Sequence, residues 1–400
     1  MKKVISLIIT AAIMAVSLFT FAGCGAKDGD NGQGDFIVGA IYINSQNDTS
    51  GYTYAHHKGL VKAMQDLGLD TTRHLKIVDN VEEDDMAVSN AIDLLAGQGC
   101  DIIFGISFGY INAMKEKSEE FSDIVFSHAT GYMSNDTNFN NYFGRIYQAR
   151  YLSGIAAGFK SLALGNNNIG YVSAWGTEYA ETCSGINAFA LGARSVNPDA
   201  VIHVKKISAW GDQEKERQAA EVLIDTYDCC VIGQHCDSAQ PQLVAQEKGM
   251  FGCGYNSDMT SQAPNAHLTA PIWNWDVYYR YAIETAMNNP ASQFVSTVGN
   301  YYGGLVEGMV DLTPLSANCE PGTDEAIRLA REAMVTGTWD VFSGSKLVFT
   351  VRGGNVEMSI VGDALLDNAG NEIVPAGGPS VDDGVIQGSM NYYLEGVIAE

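Results

Sequence analysis

The feature that most constrains this chain is an alternation, run through twice, of apolar segments of strand length with amphipathic segments of helix length. From Phe36 the apolar runs fall at 36–43, 75–81, 100–106 and 123–129, with helices expected near 53–67, 84–98 and 109–121. A second series follows at 168–174, 200–207, 229–235, 249–256 and 266–273, with helices expected near 178–195, 212–227, 239–248 and 276–288. Near-continuously apolar strands between helices belong to parallel sheets covered on both faces. The expected fold is therefore α/β: two doubly wound parallel-sheet lobes joined by a hinge. Lobe 1 is expected over 36–146, with about 274–304 returning to it, and lobe 2 over 147–273. Residues 305–400 form a C-terminal elaboration in which a helix near 324–335 precedes two segments of antiparallel character, KLVFTVRG and NVEMSIVG.

The N-terminus carries a different signal. Lys2 and Lys3 precede an apolar run from Val4 to Ala22 that ends at Gly23 and Cys24. Ser6, Thr10, Ser17 and Thr20 dilute the run, and no basic flank follows it, which favours an export signal over a spanning helix. Its end, LFTFAGC, resembles a bacterial lipobox, with Phe21 at a position where an aliphatic residue is usual. On that reading residues 1–23 are a lipoprotein signal peptide and Cys24 carries lipid. The glycine-rich stretch 24–35 is then a tether, which places the body on the extracytoplasmic side of the cell membrane. The formal net charge of −24 repels phosphate backbones, so nucleic-acid binding is excluded as a function class. A monomer is expected.

In open parallel sheets the ligand crevice lies at the carboxyl ends of the strands. The loops selected by that rule are 43–54, 105–110, 128–133, 173–179, 233–241, 254–259 and 271–276. They carry Tyr52, Tyr54, Phe108, Trp175 and Trp273, with Ser107, Asp237, Asn256, Asp258 and Asn274; His128 is a weaker candidate. Aromatic faces with a few fixed polar groups are the usual means of holding a small planar ligand.

Catalytic alternatives need weighing beside this. Gly105-Ile-Ser107-Phe-Gly109 fits the GxSxG elbow of a serine hydrolase, for which Asp237 or Asp258 with His267 would complete a triad. Glycines at a strand-to-helix turn also serve any doubly wound fold, so a secreted esterase using Ser107 is kept only as an alternative. His56 and His57 are adjacent and cannot share a metal from one helix face. His235, Cys236 and Asp237 sit on alternating faces of a strand end, so no metal or cofactor is expected. The cysteines lie in or beside apolar strands and read as buried small side chains, and the seven besides Cys24 make an odd number.

Taken together, SGYTYAHHKG, SFGYINA, FSHATGY, ARYLSGIAAG, GINAFALGARSVNPDA, GQHCDSAQP, GYNSDM, APIWNWDVYY and YYGGLVEGMVDL resemble the basic membrane lipoprotein (BMP) family of ABC transporter substrate-binding proteins, most of all the branch associated with purine bases such as adenine. The resemblance implies a type I periplasmic-binding-protein fold whose lobes are crossed three times by the chain. It also implies a non-enzymatic receptor that closes on a base or nucleoside and delivers it to an ABC permease and its ATPase. By position, Tyr52 and Trp175 would stack on the ring from opposite lobes. Nucleoside-binding relatives resemble this chain but tend to carry a lysine near Trp273, so the aromatic residue there implies a free base; a nucleoside receptor is the alternative within the family. Asp237 and Asp258 would orient the ring through its N–H groups.

Overall fold

The structure is a computed structural model that describes residues 35–352 and 355–400. The segment 1–23 expected to be a signal peptide, Cys24 and all but the last residue of the expected tether lie outside the described residues. In the first sheet six parallel strands stand in the order Tyr301–Gly303, Phe139–Gly144, Val125–Ala129, Ile102–Ile106, Val38–Tyr42, Leu75–Val78. In the second sheet the order is His267–Thr269, Phe251–Cys253, Val231–His235, Asn168–Ser173, Val201–Lys206, Val397–Ala399, again parallel throughout. The chain is thus α/β and doubly wound twice. In each sheet the first strand of the series stands between the second and the third.

Period-two alternation sorts the central strands into two cores. Ile41, Ile103 and Phe126 face Val88, Ile92, Leu95 and Met114 of the outer helices. Ala40, Tyr42, Ile102 and Phe104 face inward, into a cluster that continues through Trp273 and Trp275 into the second lobe. The helix Asp85–Gly97 starts at Asp84, whose carboxylate accepts from the N–H groups of Met86 and Ala87, as an N-cap should.

The chain passes between the sheets three times: at residues 144–146, through the strand Pro271–Trp273, and between residues 303 and 310. The strand Pro271–Trp273 pairs antiparallel with Val310–Leu312, forming a two-stranded ribbon at the crossing. The apolar run 266–273 is therefore two strands in different sheets. Between the last two crossings the helix Trp275–Asn288 packs on the helix Gly51–Asp66, so closely that a Cβ on Gly59 would stand 2.6 Å from the Cβ of Trp275. In the C-terminal part Ser345–Arg352 and Asn355–Gly362 form an antiparallel hairpin, and Val397–Ala399 closes the outer edge of the second sheet.

Candidate ligand-binding site

Reversal of strand order beside the first strand of each sheet leaves a crevice between diverging loops. The loops that follow Val38–Tyr42 and Ile102–Ile106 face those that follow Asn168–Ser173, Val201–Lys206 and Val231–His235. Together they enclose a cavity of about 590 Å³. The lobes meet at Gly51, whose φ is +83° and where a Cβ would lie 3.0 Å from the Cβ of Asp237. Only glycine satisfies both the left-handed backbone and this approach.

A line of rings runs from the second lobe across the hinge to the first. Trp210 lies 6.0 Å from His235, His235 lies edge-on to Tyr255 at 4.9 Å, and Tyr255 accepts a 3.0 Å hydrogen bond from Trp273 Nε1. Trp273 stacks on Trp275 at 4.5 Å, Trp275 on His56 at 3.8 Å, and Tyr52 stands edge-on to His56 at 4.3 Å. Trp210, His235, Tyr255, Trp273 and Tyr52 all line the cavity, as do Phe108, Phe143 and Tyr179.

Asp48, Glu83, Glu181 and Asp237 line the cavity, and among the described residues no lysine or arginine does so. Burial, then the nearby Glu216 carboxylate, pushes Asp237 up to about 7, and the Tyr52 backbone N–H opposes the rise. Burial, then Asp79, raises Asp48. Burial also pushes Glu181 up, but pairing with His235 at 3.1 Å and the field of Arg150 outweigh it and leave the carboxyl below its usual range. His235 is pushed down to about 4 by burial and Arg150, so it is neutral at pH 7. Arg150 itself is 1% exposed and lies 4.1 Å over the Tyr255 ring; its Nη1 donates to Tyr171 Oη and to the Gln234 carbonyl. Among the described residues, three groups at the wall are buried without a protein partner: the Tyr52 hydroxyl, His235 Nδ1 and the Asn256 amide, at both its donor and its acceptor.

Of the residues expected at the site, Tyr52, Ser107, Phe108, Asp237, Asn256 and Trp273 border this one cavity. Four do not border it. Tyr54, one position past Tyr52 on a helix, points about 100° away, beneath the Lys58 ammonium. Trp175 packs behind Tyr179 and Trp210 at ring distances of 5.2 and 6.5 Å, so those two rings present the faces expected of it. Asp258 accepts from the Thr260 N–H and faces His267 at 3.7 Å. Asn274 donates to the Gly308 carbonyl beside the hinge ribbon. His128, the weaker candidate, lies beneath the wall with its Nε2 donating to the Ser107 carbonyl.

Ser107 has no histidine for a base. Its hydroxyl donates to Glu83 Oε1 at 2.5 Å, and the same oxygen accepts from the Gly109 N–H at 2.8 Å. The glycines of the motif serve packing instead: a Cβ on Gly105 would meet the Met114 sulfur at 1.8 Å, and one on Gly109 would meet the Glu83 Cβ at 2.6 Å. Sequence reasoning missed Glu83, Tyr179, Glu181, Trp210 and Gln387. Glu83 and Trp210 lie just beyond the carboxyl ends of Leu75–Val78 and Val201–Lys206, so extending the strand-end rule to those loops would have found both.

Comparison with known proteins agrees with this architecture. Residues 36–337 match the model of the Bmp family, described as ABC transporter substrate-binding protein, PnrA-like. A purine-binding protein of Brucella abortus is 33% identical over 364 residues, 90% of this chain and 92% of that protein. A putative ABC transporter glucose-binding protein of Haloferax volcanii is 36% identical over 245 residues, 61% of this chain; the match spans 60% of that relative's length. Among solved structures, a solute-binding protein of an ABC transporter system from Conexibacter woesei superposes with a TM-score of 0.62 at 17% identity, over 76% of this chain and 98% of that one, a likeness of fold.

Proposed function

The chain belongs to the Bmp family of ABC transporter substrate-binding proteins, which bind and do not catalyse, and from that premise we propose that the molecule held between its lobes is a purine base. The observation that carries this reading is Asn256. The residue is 8% exposed and borders the cavity, and its amide nitrogen and oxygen are buried in the wall with neither donor nor acceptor engaged. An amide with both groups free makes a two-point pair with an amino group beside a ring nitrogen, as Asn does with adenine N6 and N7. The surrounding aromatic faces supply stacking, worth about 1–3 kcal/mol for each ring so used. Carboxylates at Glu181 and Asp237 accept from ring N–H or exocyclic amino groups. The Brucella relative's name supports the same class, whereas the Haloferax relative's name points to a sugar.

The test is identification by mass spectrometry of small molecules released on denaturing the purified protein, followed by calorimetry with adenine, guanine, hypoxanthine, their nucleosides and glucose. A free base bound at least tenfold tighter than its nucleoside and than glucose is the expected result. Glucose binding without any purine would overturn the reading. Asn256→Gly, which keeps the left-handed backbone at φ +64°, should lower base affinity roughly tenfold or more and leave the melting temperature nearly unchanged. The receptor is further proposed to be a monomer that is lipid-anchored through Cys24 and passes its cargo to a permease with its ATPase. Cys24→Ala should then release the protein from the membrane fraction into the soluble one.

A further inference from the structure

Residues beyond 337 lie outside the span matched to the family model, yet Gln387 forms part of the cavity wall. It is carried by the helix Asp383–Gly388, which packs on the helix Ala180–Arg194 of the second lobe. Asn187 fastens the segment there: its amide donates to the Tyr392 carbonyl and accepts from the Leu394 N–H, both at 2.9 Å. Ile386, Met390 and Leu394 are buried beneath it. At the other end of the segment Asp383 accepts from Arg145 Nε at 3.0 Å and Nη2 at 2.5 Å. Arg145 stands in the first crossing between the lobes. Its Nη1 donates to the Tyr302 carbonyl, and its guanidinium lies 4.8 Å over the Tyr302 ring, on the edge strand of the first sheet. Contacts therefore run without a break from a helix of one lobe, through the C-terminal segment, to the far sheet.

We propose that residues 381–394 are a strap that holds the lobes closed through Asp383 and Arg145 and brings Gln387 to the ligand as a specificity-determining contact. The chemistry is complementary to the rest of the wall. An ionised carboxylate such as Glu181 only accepts hydrogen bonds, whereas the Gln387 amide also donates at every pH, and so can meet a ring nitrogen or carbonyl oxygen that an ionised carboxylate would repel. This inference rests on the reading of the cavity as the ligand site and does not depend on which molecule fills it.

Three full-length variants test it. Gln387→Leu removes the amide at similar size, Gln387→Glu replaces the donor with an acceptor, and Asp383→Asn loosens the strap with Gln387 intact. Calorimetry with adenine, hypoxanthine, adenosine and glucose should show about a five- to tenfold loss for the preferred ligand in Gln387→Leu, the loss of one hydrogen bond. The ratio of adenine to hypoxanthine affinity should change by at least threefold, and Gln387→Glu should move that ratio furthest. Asp383→Asn should weaken all ligands by a common factor and enlarge the radius of gyration of the ligand-free protein in solution scattering. Affinities within twofold of wild type in Gln387→Leu, or an equal loss for every ligand, would overturn the specificity role. If wild type bound none of the four, the purine reading would fall, and scattering would still decide the strap: an Asp383→Asn radius equal to wild type would overturn it.

Discussion

Asp237 is the group lining this cavity whose pKa lies nearest neutrality, at about 7. In the closed arrangement Gly51 and Tyr52 of the first lobe lie against its carboxyl, and Glu216, Glu181 and Asp48 surround it with negative charge. Burial and these neighbours raise its pKa from 3.8 to about 7. A carboxyl whose folded-state pKa is raised contributes fully below its unfolded value and loses that contribution as pH rises towards and through about 7. Roughly three pH units at about 1.4 kcal/mol each give about 4 kcal/mol; solvent screening at the cavity wall reduces this to about 2 kcal/mol. The buried histidines His56, His128, His235 and His267 are all pushed down by burial, and they titrate with the opposite sign below about pH 6.5. A single pH curve therefore mixes both effects, whereas the difference between wild type and Asp237→Asn cancels the histidines. Asparagine stands in for the protonated carboxyl. In ligand-free protein at pH 8 the variant should melt about 4 °C above wild type, at roughly 2 °C per kcal/mol for a chain of this size, and the gap should narrow to about half or less by pH 5. A gap that stays constant across that range, or a variant that melts below wild type at pH 8, would refute the reasoning.

Gly51→Ala places a Cβ at 3.0 Å from Asp237 and strains a backbone at φ +83°, so it should hold the lobes apart and weaken ligand binding about tenfold or more, at a cost of about 1–2 kcal/mol in folding stability; calorimetry and thermal melting read the two effects. Trp210→Ala should cost roughly 1–3 kcal/mol of ligand affinity if its face stacks on a base, whereas Trp175→Ala should change affinity by less than about threefold, because Trp175 supports Tyr179 and Trp210 from behind. Arg150→Met removes the buried cation that offsets Glu181 and should destabilise the protein by about 3–5 kcal/mol at neutral pH, where Glu181 is ionised, and by less as pH falls below about 4.5, as measured by denaturant titration.

The sheets were legible because their central strands are apolar on both faces, and period and length then separate strand from helix. The elements that escaped the pattern did so for physical reasons. The helix Ile146–Leu164 is buried along nearly its whole length, and a helix buried all round carries no amphipathic period. The strand Phe139–Gly144 reads as polar because of Asn140 and Asn141, yet both are buried and engaged; Asn140 donates to Tyr278 Oη and to the Gly299 carbonyl. Tyr301–Gly303 and Val397–Ala399 are too short to show any period. At the site, the strand-end rule located the crevice but did not say which of two neighbouring aromatic residues would face it. Trp175 stands two residues past the strand Asn168–Ser173 and turns behind the wall, while Trp210, from the neighbouring loop, takes the open face.

The charge of the wall narrows the ligand further than its shape does. Four acidic residues, Asp48, Glu83, Glu181 and Asp237, border the cavity, and the buried cation Arg150 lies outside the lining, over the Tyr255 ring, with Nη1 committed to Tyr171 and Gln234 and with Nε and Nη2 buried without a protein partner. A phosphate entering this space would meet negative charge on both lobes and find no lysine or arginine among the described lining residues with which to pair, and burying an unpaired anion there would cost several kcal/mol. Nucleotides are thereby disfavoured relative to uncharged bases, nucleosides and sugars. Among those, a base that presents amino and ring N–H groups gains from the same carboxylates that reject the phosphate. Acidity and aromatic lining thus act as one filter, with the carboxylates setting the sign of what can enter and the rings favouring what is flat.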